Sequence, residues 1–309
     1  MRGVISQKLA PFLAQANEAL AQAKAEGMTF SPDLIRANLN KLAPLMGKGP
    51  QLNLIEDRRF VIEGRIIPVR IYSPAPEQAL PVVIHYHGGG HMCGSVELYD
   101  PICRKVAAQG QCIVISVEYR LAPENPYPAG IDDCRYVLAH YKECLTDVNY
   151  SDDIYIMGDS AGGAICTTLA MNSQTDFSLK IDKQILIYPS VDYHGGHASL
   201  TENGTGFLLE LDKIAWYFQQ YFQRYKEFKV ASPLHGEITS KLPETLIITA
   251  GCDPLRDEGS AYVKALKNVG VQVKHHQFDG LTHAYMLLDN LVAEECQQTY
   301  QMVADFIKK

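Results

Sequence analysis

The chain has 309 residues, of which 47% are apolar and 20% charged, and its 28 basic and 35 acidic side chains give a net charge of −7. This is the composition of a globular protein with a large buried core, and it excludes disordered and collagen-like chains. The negative surplus also argues against a nucleic-acid partner, because phosphate backbones bind basic surfaces.

The N-terminus lacks the uninterrupted apolar core of a signal peptide, because polar residues such as Gln7, Lys8 and Gln15 interrupt it. No segment approaches the roughly 18 uncharged apolar residues of a membrane span. The eight cysteines form no C-x-x-C pair and no Cys/His group with zinc-finger spacing, so we interpret them as free thiols. We therefore expect a cytoplasmic protein with no integral membrane association and no metal ion.

Residues 1 to about 46 are predicted to form two helices. Apolar residues recur at three-to-four-residue spacing over 5–20, and the Ser-Pro-Asp triplet that begins at Ser31 is a helix start for residues 34–45. Pro11 is expected to divide the first of these helices.

Short strands follow from about residue 51. Residues 51–74 indicate two strands around a turn at Glu63 and Gly64, which suits an antiparallel edge hairpin. Further apolar runs, rich in β-branched and aromatic residues, predict strands at 81–89, 111–119, 152–159, 183–189, 244–251 and 271–278. Helical segments are predicted at 98–108, 131–141, 161–171, 259–269 and 292–307. This alternation indicates an α/β fold with a mostly parallel sheet of about eight strands, flanked by helices.

One segment, residues 193–233, breaks the alternation. It is long, it is rich in Tyr and Phe, and it contains a helical stretch near 211–225. We interpret it as an insertion that acts as a lid.

The sharpest local motif is GDSAGG at residues 158–163, between a predicted strand and a predicted helix. This is the setting of a G-x-S-x-G nucleophile elbow, in which Gly158 and Gly162 leave room and Ser160 projects from the sheet edge. The amide of Ala161 would then be free to donate to an oxyanion. The alternative is an ordinary glycine-rich turn with a solvent-facing serine.

A second motif, HGGG at residues 87–90, follows another predicted strand and is called the HGGG loop below. Consecutive glycines are tolerated best where the main chain approaches a ligand closely. The amides of Gly88 and Gly89 are predicted to face a developing oxyanion, and losing one such donor typically raises the barrier by ~3 kcal/mol. His87 is expected to brace the loop. The alternative, a flexible hairpin tip, is weakened by the preceding strand.

A nucleophilic serine needs a base and a carboxylate that orients the base. The expected chain order is serine, acid, histidine. Asp253 follows the predicted strand at 244–251, and His283 follows the one at 271–278. Both positions lie at the carboxyl ends of strands, where open α/β sheets place their sites.

Other titratable residues fit other roles. Asp257 and Glu258 suit the first turn of the next helix, where the helix dipole favours acids. Asp279 suits a turn. Adjacent His275 and His276 point to opposite faces of a strand, so they cannot both serve one site.

With these motifs in place, the chain resembles the hormone-sensitive-lipase-like family of α/β-hydrolase esterases. The resemblance spans about residue 81 to the C-terminus. It rests on HGGG at 87–90, YRLAPE-x-P-x-PA at 119–129, GDSAGG at 158–163, DPLRDEG at 253–259 and the histidine at 283.

This resemblance implies the α/β-hydrolase fold and a role for each site residue. The implied catalytic residues and oxyanion donors are Ser160 as nucleophile, His283 as base, Asp253 as orienting acid, and the amides of Gly88, Gly89 and Ala161. The implied supporting residues are His87, Gly90, Gly158, Asp159 and Gly162.

The resemblance also implies a helical cap. The cap would combine residues 1–46 with the insertion at 193–233, leaving 47–192 and 234–309 as the catalytic core. The chain departs from the family pattern at His91, Tyr99 and the Ala284–Tyr285 pair after the late histidine. These departures leave the triad intact and concern the shape and polarity of the acyl and alcohol pockets.

The expected function is that of a serine carboxylesterase, which hydrolyses short-to-medium acyl esters through an acyl-enzyme intermediate without a cofactor. Its expected partner is a small-molecule ester, and assembly into a homo-oligomer is left open. Two alternatives are a non-catalytic receptor on the same fold and an amidase with the same triad. The intact triad argues against the receptor, whereas the sequence does not separate an amidase from an esterase.

Overall fold

In the computed structural model, residues 1–308 are described, and within them eight strands form one sheet. The strands are β1 (Leu54–Ile62), β2 (Arg65–Ser73), β3 (Leu80–Tyr86), β4 (Ile113–Val117), β5 (Tyr150–Asp159), β6 (Lys183–Ile187), β7 (Glu244–Cys252) and β8 (Val273–Thr282). Their spatial order is β1-β2-β4-β3-β5-β6-β7-β8. The β1–β2 hairpin is antiparallel and β2 runs antiparallel to β4, whereas β3 to β8 are parallel. The predicted mostly parallel sheet with an edge hairpin is confirmed.

Helices cover both faces of the sheet. They are α1 (Ala10–Ala25), α2 (Pro32–Asn40), α3 (Val96–Gly110), α4 (Ala129–His140), α5 (Ala161–Ser173), α6 (Ala198–Glu202), α7 (Leu211–Phe222), α8 (Phe228–Ala231), α9 (Arg256–Asn268) and α10 (Ala293–Ile307). Short 3₁₀ turns lie at Ala43–Leu45, Tyr141–Cys144, Pro233–His235 and Tyr285–Leu288. Helices α4, α5 and α9 pack on one face, and α3 and α10 pack on the other.

The continuous apolar runs of the central strands reflect burial on both faces. In β3, Val82 and Ile84 join the core under α4 and α5, whereas Val83 points into the core under α3 and α10. Because successive side chains of a strand alternate between faces, a strand between two helical layers needs apolar residues at every position.

The N-terminal helices differ from the prediction at their ends. The first helix starts at Ala10, and Pro11 lies in its first turn, where its missing N–H costs nothing, instead of dividing it. The second helix is capped as predicted, because the Ser31 hydroxyl accepts from the Leu34 amide. It ends at Asn40, and Pro44 cannot donate the hydrogen bond that would extend it.

The insertion at 193–233 contains α6, α7 and α8. Helix α7 ends at Phe222 because Gln223 adopts a positive φ of 47°, so it is shorter than predicted. Within residues 1–308, none of the helices combines the length and apolar character needed to cross a bilayer. The eight cysteines, all in this range, are free and buried, as predicted.

Candidate active site

The elbow at Ser160 is built by a sharp turn between β5 and α5. Ser160 has φ 52° and ψ −119°, a conformation that L-residues rarely adopt. Its amide donates to the Ile187 carbonyl at 3.0 Å, and its carbonyl accepts from the Ser190 amide at 3.0 Å. These bonds to the segment that follows β6 hold the strained residue in place.

Close backbone contacts explain the glycines of the elbow. A Cβ on Gly162 would lie 1.9 Å from the Tyr86 carbonyl oxygen, and one on Gly158 would lie 2.3 Å from the Gly162 carbonyl carbon. Both obstacles are backbone atoms, which cannot move aside as a flexible side chain can. The start of α5 therefore packs directly against the end of β3, and Ser160 lies at the carboxyl edge of the sheet.

Ser160, His283 and Asp253 form one hydrogen-bonded chain. His283 Nε2 lies 2.8 Å from Ser160 Oγ, and His283 Nδ1 lies 2.8 Å from Asp253 Oδ2. The second Asp253 oxygen accepts from the Leu255 amide at 2.7 Å. Because the carboxylate accepts the Nδ1 proton, the neutral ring leaves Nε2 free to accept a proton from the serine.

The topology brings these three residues together from distant parts of the chain. Asp253 follows β7 directly, His283 follows β8 directly, and Ser160 follows β5. Asp253 is 1% exposed and His283 is 6% exposed. Burial shields the hydrogen bonds between these three side chains from water, which strengthens their electrostatic component.

The HGGG loop lies beside the elbow, and its conformation depends on glycine. Gly89 has φ +121°, and a Cβ there would lie 2.2 Å from the Cys93 carbonyl oxygen. Gly90 has φ +62°. Both glycines line the cavity above Ser160.

Gly88 differs from the expectation drawn from the sequence. Its amide donates to Asp159 Oδ1 at 2.7 Å, so it is occupied and cannot also serve an oxyanion in this conformation. Within residues 1–308, the amides of Gly89, Gly90 and Ala161 have no hydrogen-bond acceptor. The free donors of the loop are therefore one residue further along the chain than expected.

Asp159 connects the elbow to two other parts of the structure. Besides the Gly88 amide, it accepts a hydrogen bond from the Tyr99 hydroxyl at 3.0 Å. Burial raises the pKa of Asp159 to about 6, although both hydrogen bonds act in the opposite direction. The sequence marked Tyr99 as a departure from the family pattern but did not indicate that it contacts Asp159.

His87 lies behind the HGGG loop. Its ring stacks on Tyr119 with centroids 4.3 Å apart, and Nδ1 lies 2.8 Å from the Gly88 carbonyl oxygen. Burial lowers the pKa of His87 to about 4, so the ring is neutral at pH 7. These contacts fit the bracing position expected for it.

The remaining candidate acids and histidines lie outside the hydrogen-bonded chain. Asp257 pairs with Arg256 at 2.8 Å and accepts from the Ser199 amide. Glu258 is buried and accepts from the amides of Val191 and Asp192, and burial raises its pKa well above the ordinary value.

The other residues weighed from the sequence have local partners. His275 contacts Thr249, His276 packs against Phe278, and Asp279 accepts from Gln277. In the described part of the chain, no cluster of three or more His, Cys, Asp or Glu side chains is arranged to hold a metal ion.

A cavity of about 670 Å³ opens onto Ser160 and His283. Its volume is in the range of small-molecule sites, and its walls are mostly apolar. The walls come from α1, α2, α7 and the HGGG loop, with side chains that include Phe12, Leu20, Ile35, Leu39, Ile214 and Tyr217. Both segments predicted to form a cap therefore contribute to this cavity.

Comparisons with known proteins give a consistent result. A family model for the alpha/beta hydrolase fold matches residues 83–287. Carboxylesterase NlhH of Mycobacterium tuberculosis is 36% identical over 263 residues, which are 82% of this chain and 82% of the relative. Esterase LipI of the same organism is 35% identical over 266 residues, 82% of this chain and 81% of the relative. The structure of a hyperthermophilic esterase from the archaeon Pyrobaculum calidifontis superposes with a TM-score of 0.87 at 30% identity, covering 99% of this chain and 98% of that one.

Proposed function

The chain belongs to the hormone-sensitive-lipase-like family of the α/β-hydrolase fold, and from this premise we propose that it hydrolyses carboxylic esters through an acyl-enzyme intermediate on Ser160. Its similarity to proteins named esterases supports the ester hydrolase class. The observation that carries the mechanism is the unbroken chain of two 2.8 Å contacts from Asp253 through His283 to Ser160.

In the first half of the reaction, Ser160 Oγ attacks the ester carbonyl while His283 Nε2 takes the hydroxyl proton. Asp253 holds the proton on Nδ1 and stabilises the imidazolium that forms. The carbonyl oxygen gains negative charge, which the free amides of Gly89 and Ala161 stabilise, with Gly90 as the adjacent donor. These donors are part of the folded backbone, so they need little reorganisation as charge develops.

The tetrahedral intermediate collapses when His283 gives its proton to the leaving alkoxide. The alcohol departs and leaves the acyl group on Ser160. A water molecule then loses a proton to His283 Nε2 and attacks the acyl carbonyl, and the same oxyanion donors stabilise the second intermediate. Its collapse returns the proton to Ser160 and releases the acid.

The cavity supports a small ester as substrate. Its apolar walls suit short-to-medium acyl chains, and we propose residues 1–46 and 193–233 as the cap over a core of 47–192 and 234–309. The free, buried cysteines are consistent with a cytoplasmic enzyme, because reducing conditions keep thiols unpaired.

A p-nitrophenyl ester series from acetate to palmitate tests this function, with wild type and Ser160→Ala assayed side by side. We expect turnover by the wild type to be highest for the shorter chains and to fall by several orders of magnitude in the variant. Equal rates for the two proteins would exclude Ser160 as nucleophile. A matched anilide in the same assay separates esterase from amidase activity, and we expect the ester to be the better substrate.

A further inference from the structure

A lysine side chain lies in the wall of the otherwise apolar cavity. Lys213 is in the first turn of α7, and it lines the same cavity as Ser160 and His283. The side chain is half-buried, and this burial lowers the pKa of its amine.

The amine of Lys213 has no hydrogen-bond partner in the described part of the chain. Within residues 1–308, no acceptor lies within hydrogen-bonding distance of its Nζ. The two acids that act on its charge are engaged elsewhere: Asp212 pairs with Lys24 at 2.7 Å, and Glu210 accepts from the Gly206 amide at 2.7 Å. A half-buried ammonium group gains stability from an anionic partner, and the described residues do not supply one.

The other polar groups nearby do not supply the missing anion. Cys93 contributes to the electrostatics of Lys213, but burial raises the pKa of this thiol to about 11, so it is uncharged at pH 7. Lys41 also lines the cavity, yet its amine already donates to Asn38 Oδ1 at 3.0 Å. Lys213 thus differs from Lys41 in that its amine is left free.

Helix stability does not account for a lysine at this position. The N-terminal end of a helix carries partial positive charge, so a cation in the first turn of α7 is unfavourable there. Acids are favoured in the first turn, as at the neighbouring Asp212. The position of the charge is better explained by the cavity than by the helix.

We propose that Lys213 binds a carboxylate that the substrate carries at a distance from its ester group. The preferred substrates are then monoesters of dicarboxylic acids, or esters whose alcohol part ends in a carboxylate, with an apolar chain between the two functions. This inference rests on the proposed esterase function, since it places the carboxylate in the cavity that holds the scissile ester at Ser160. A charge-assisted hydrogen bond in a desolvated site typically changes affinity by about 10- to 100-fold.

The experiment compares anionic esters with uncharged isosteres at pH 7. Monoethyl suberate carries the carboxylate on the acyl side and is paired with its terminal carboxamide. 8-Acetoxyoctanoate carries it on the alcohol side and is paired with its own carboxamide. Each is assayed with wild type, Lys213→Met and the control Lys41→Met, with release of acid followed chromatographically.

We expect the wild type to prefer one anionic ester over its carboxamide by about 10- to 100-fold in kcat/KM. Lys213→Met should abolish that preference, mainly through KM. Lys41→Met should keep the preference, and Lys213→Arg should restore part of it. The substrate pair that shows the preference, acyl-side or alcohol-side, identifies the side of the ester that Lys213 contacts.

Two failures are distinguishable. If the wild type cleaves the neutral isosteres as fast as the anionic esters, the carboxylate proposal is wrong and the esterase proposal stands. If neither substrate is cleaved, and wild type and Ser160→Ala hydrolyse the p-nitrophenyl esters equally, the esterase function itself is wrong. Should Lys213→Met not fold, Lys213→Gln takes its place in the same comparison, and an unchanged preference in that variant would overturn the role of Lys213.

Discussion

The amide of Gly88 and the carboxylate of Asp159 are joined by a 2.7 Å hydrogen bond. This contact links the HGGG loop, which follows β3, to the elbow, which follows the adjacent strand β5. Asp159 immediately precedes Ser160, so the bond holds the HGGG loop beside Ser160. Because the Gly88 amide is occupied in this conformation, we expect Gly88 to position the oxyanion donors.

Removing this contact should impair turnover more than folding. In Asp159→Ala the Gly88 amide loses its acceptor, and the loop that presents Gly89 is free to shift. We expect kcat to fall roughly 10- to 100-fold, the size of effect typical of a small misplacement of catalytic groups. At pH 4, where the folded protein keeps the Asp159 carboxyl protonated, the unpaired buried amide should lower the free energy of unfolding by about 1–3 kcal/mol.

Kinetics on p-nitrophenyl butyrate and urea unfolding measure the two effects. Asp153→Ala is the control, because Asp153 is an exposed carboxylate on the same strand. An Asp159→Ala variant with unchanged kcat would contradict the positioning role.

The buried carboxyl of Asp159 also predicts a pH dependence of stability. Its pKa is about 6 in the folded protein against an ordinary 3.8, so between these values the folded chain retains a proton that the unfolded chain has lost. By linkage, its contribution to the free energy of unfolding decreases as pH rises from about 4 to 6, by about 3 kcal/mol in total.

Asp159→Asn cannot titrate and should lack this decrease. We expect the free energy of unfolding of the wild type, minus that of the variant, to fall across pH 4–6 and to level off above pH 7. Urea unfolding at five pH values measures it, with Asp153→Asn as a control that should follow the wild type. Parallel profiles for wild type and Asp159→Asn would show that the carboxyl is not strongly desolvated.

Much of the site was accessible from the sequence because its residues follow strands. Ser160, Asp253 and His283 each come at or shortly after the end of a predicted strand, and parallel strands bring their carboxyl ends to one edge. The hydrophobic pattern and the turn residues therefore sufficed to predict that these three side chains lie near each other. Their roles in catalysis stay a prediction until tested.

Other features depend on contacts that a local pattern does not encode. Which glycine amides of the HGGG loop are free depends on the Asp159 side chain, which is 71 residues away from Gly88 along the chain. The free amine of Lys213 depends on how α7 packs over the cavity. The sequence of α7 did offer one signal for Lys213, because a cation in the first turn of a helix is unfavourable for the helix itself.

The choice of Asp253 over Asp257 can be tested with conservative substitutions. Asp253→Asn retains the shape but no longer stabilises the Nδ1 proton and the imidazolium of His283. We expect kcat to fall by roughly 10³- to 10⁴-fold with an unchanged fold. Asp257→Asn should keep kcat within about twofold, because Asp257 contacts Arg256 and the Ser199 amide and not His283. Steady-state kinetics and circular dichroism measure both, and the reverse order would assign the orienting role to Asp257.

The YRLAPE motif supplies an ion pair whose loss should affect stability and not chemistry. Asp133 is 1% exposed and accepts from Arg120 Nε at 2.8 Å, from its Nη2 at 2.9 Å and from its backbone amide at 3.0 Å. Arg120→Met leaves this carboxylate buried with Arg65, 3.2 Å away, as its remaining cation. Breaking a buried pair typically costs about 3–5 kcal/mol, and Arg65 places the expected loss near the lower value.

The matched control is Arg135→Met on α4, the helix that also carries Asp133. Arg135 pairs with Asp176 but is 50% exposed, and exposed pairs contribute about 0–1 kcal/mol. Urea unfolding should therefore separate the two variants by about 2 kcal/mol or more, while kcat stays within about twofold of wild type for both. Equal unfolding free energies would mean that water or Arg65 replaces Arg120 fully. A loss of kcat in a stable Arg120→Met protein would instead place this motif in the catalytic machinery.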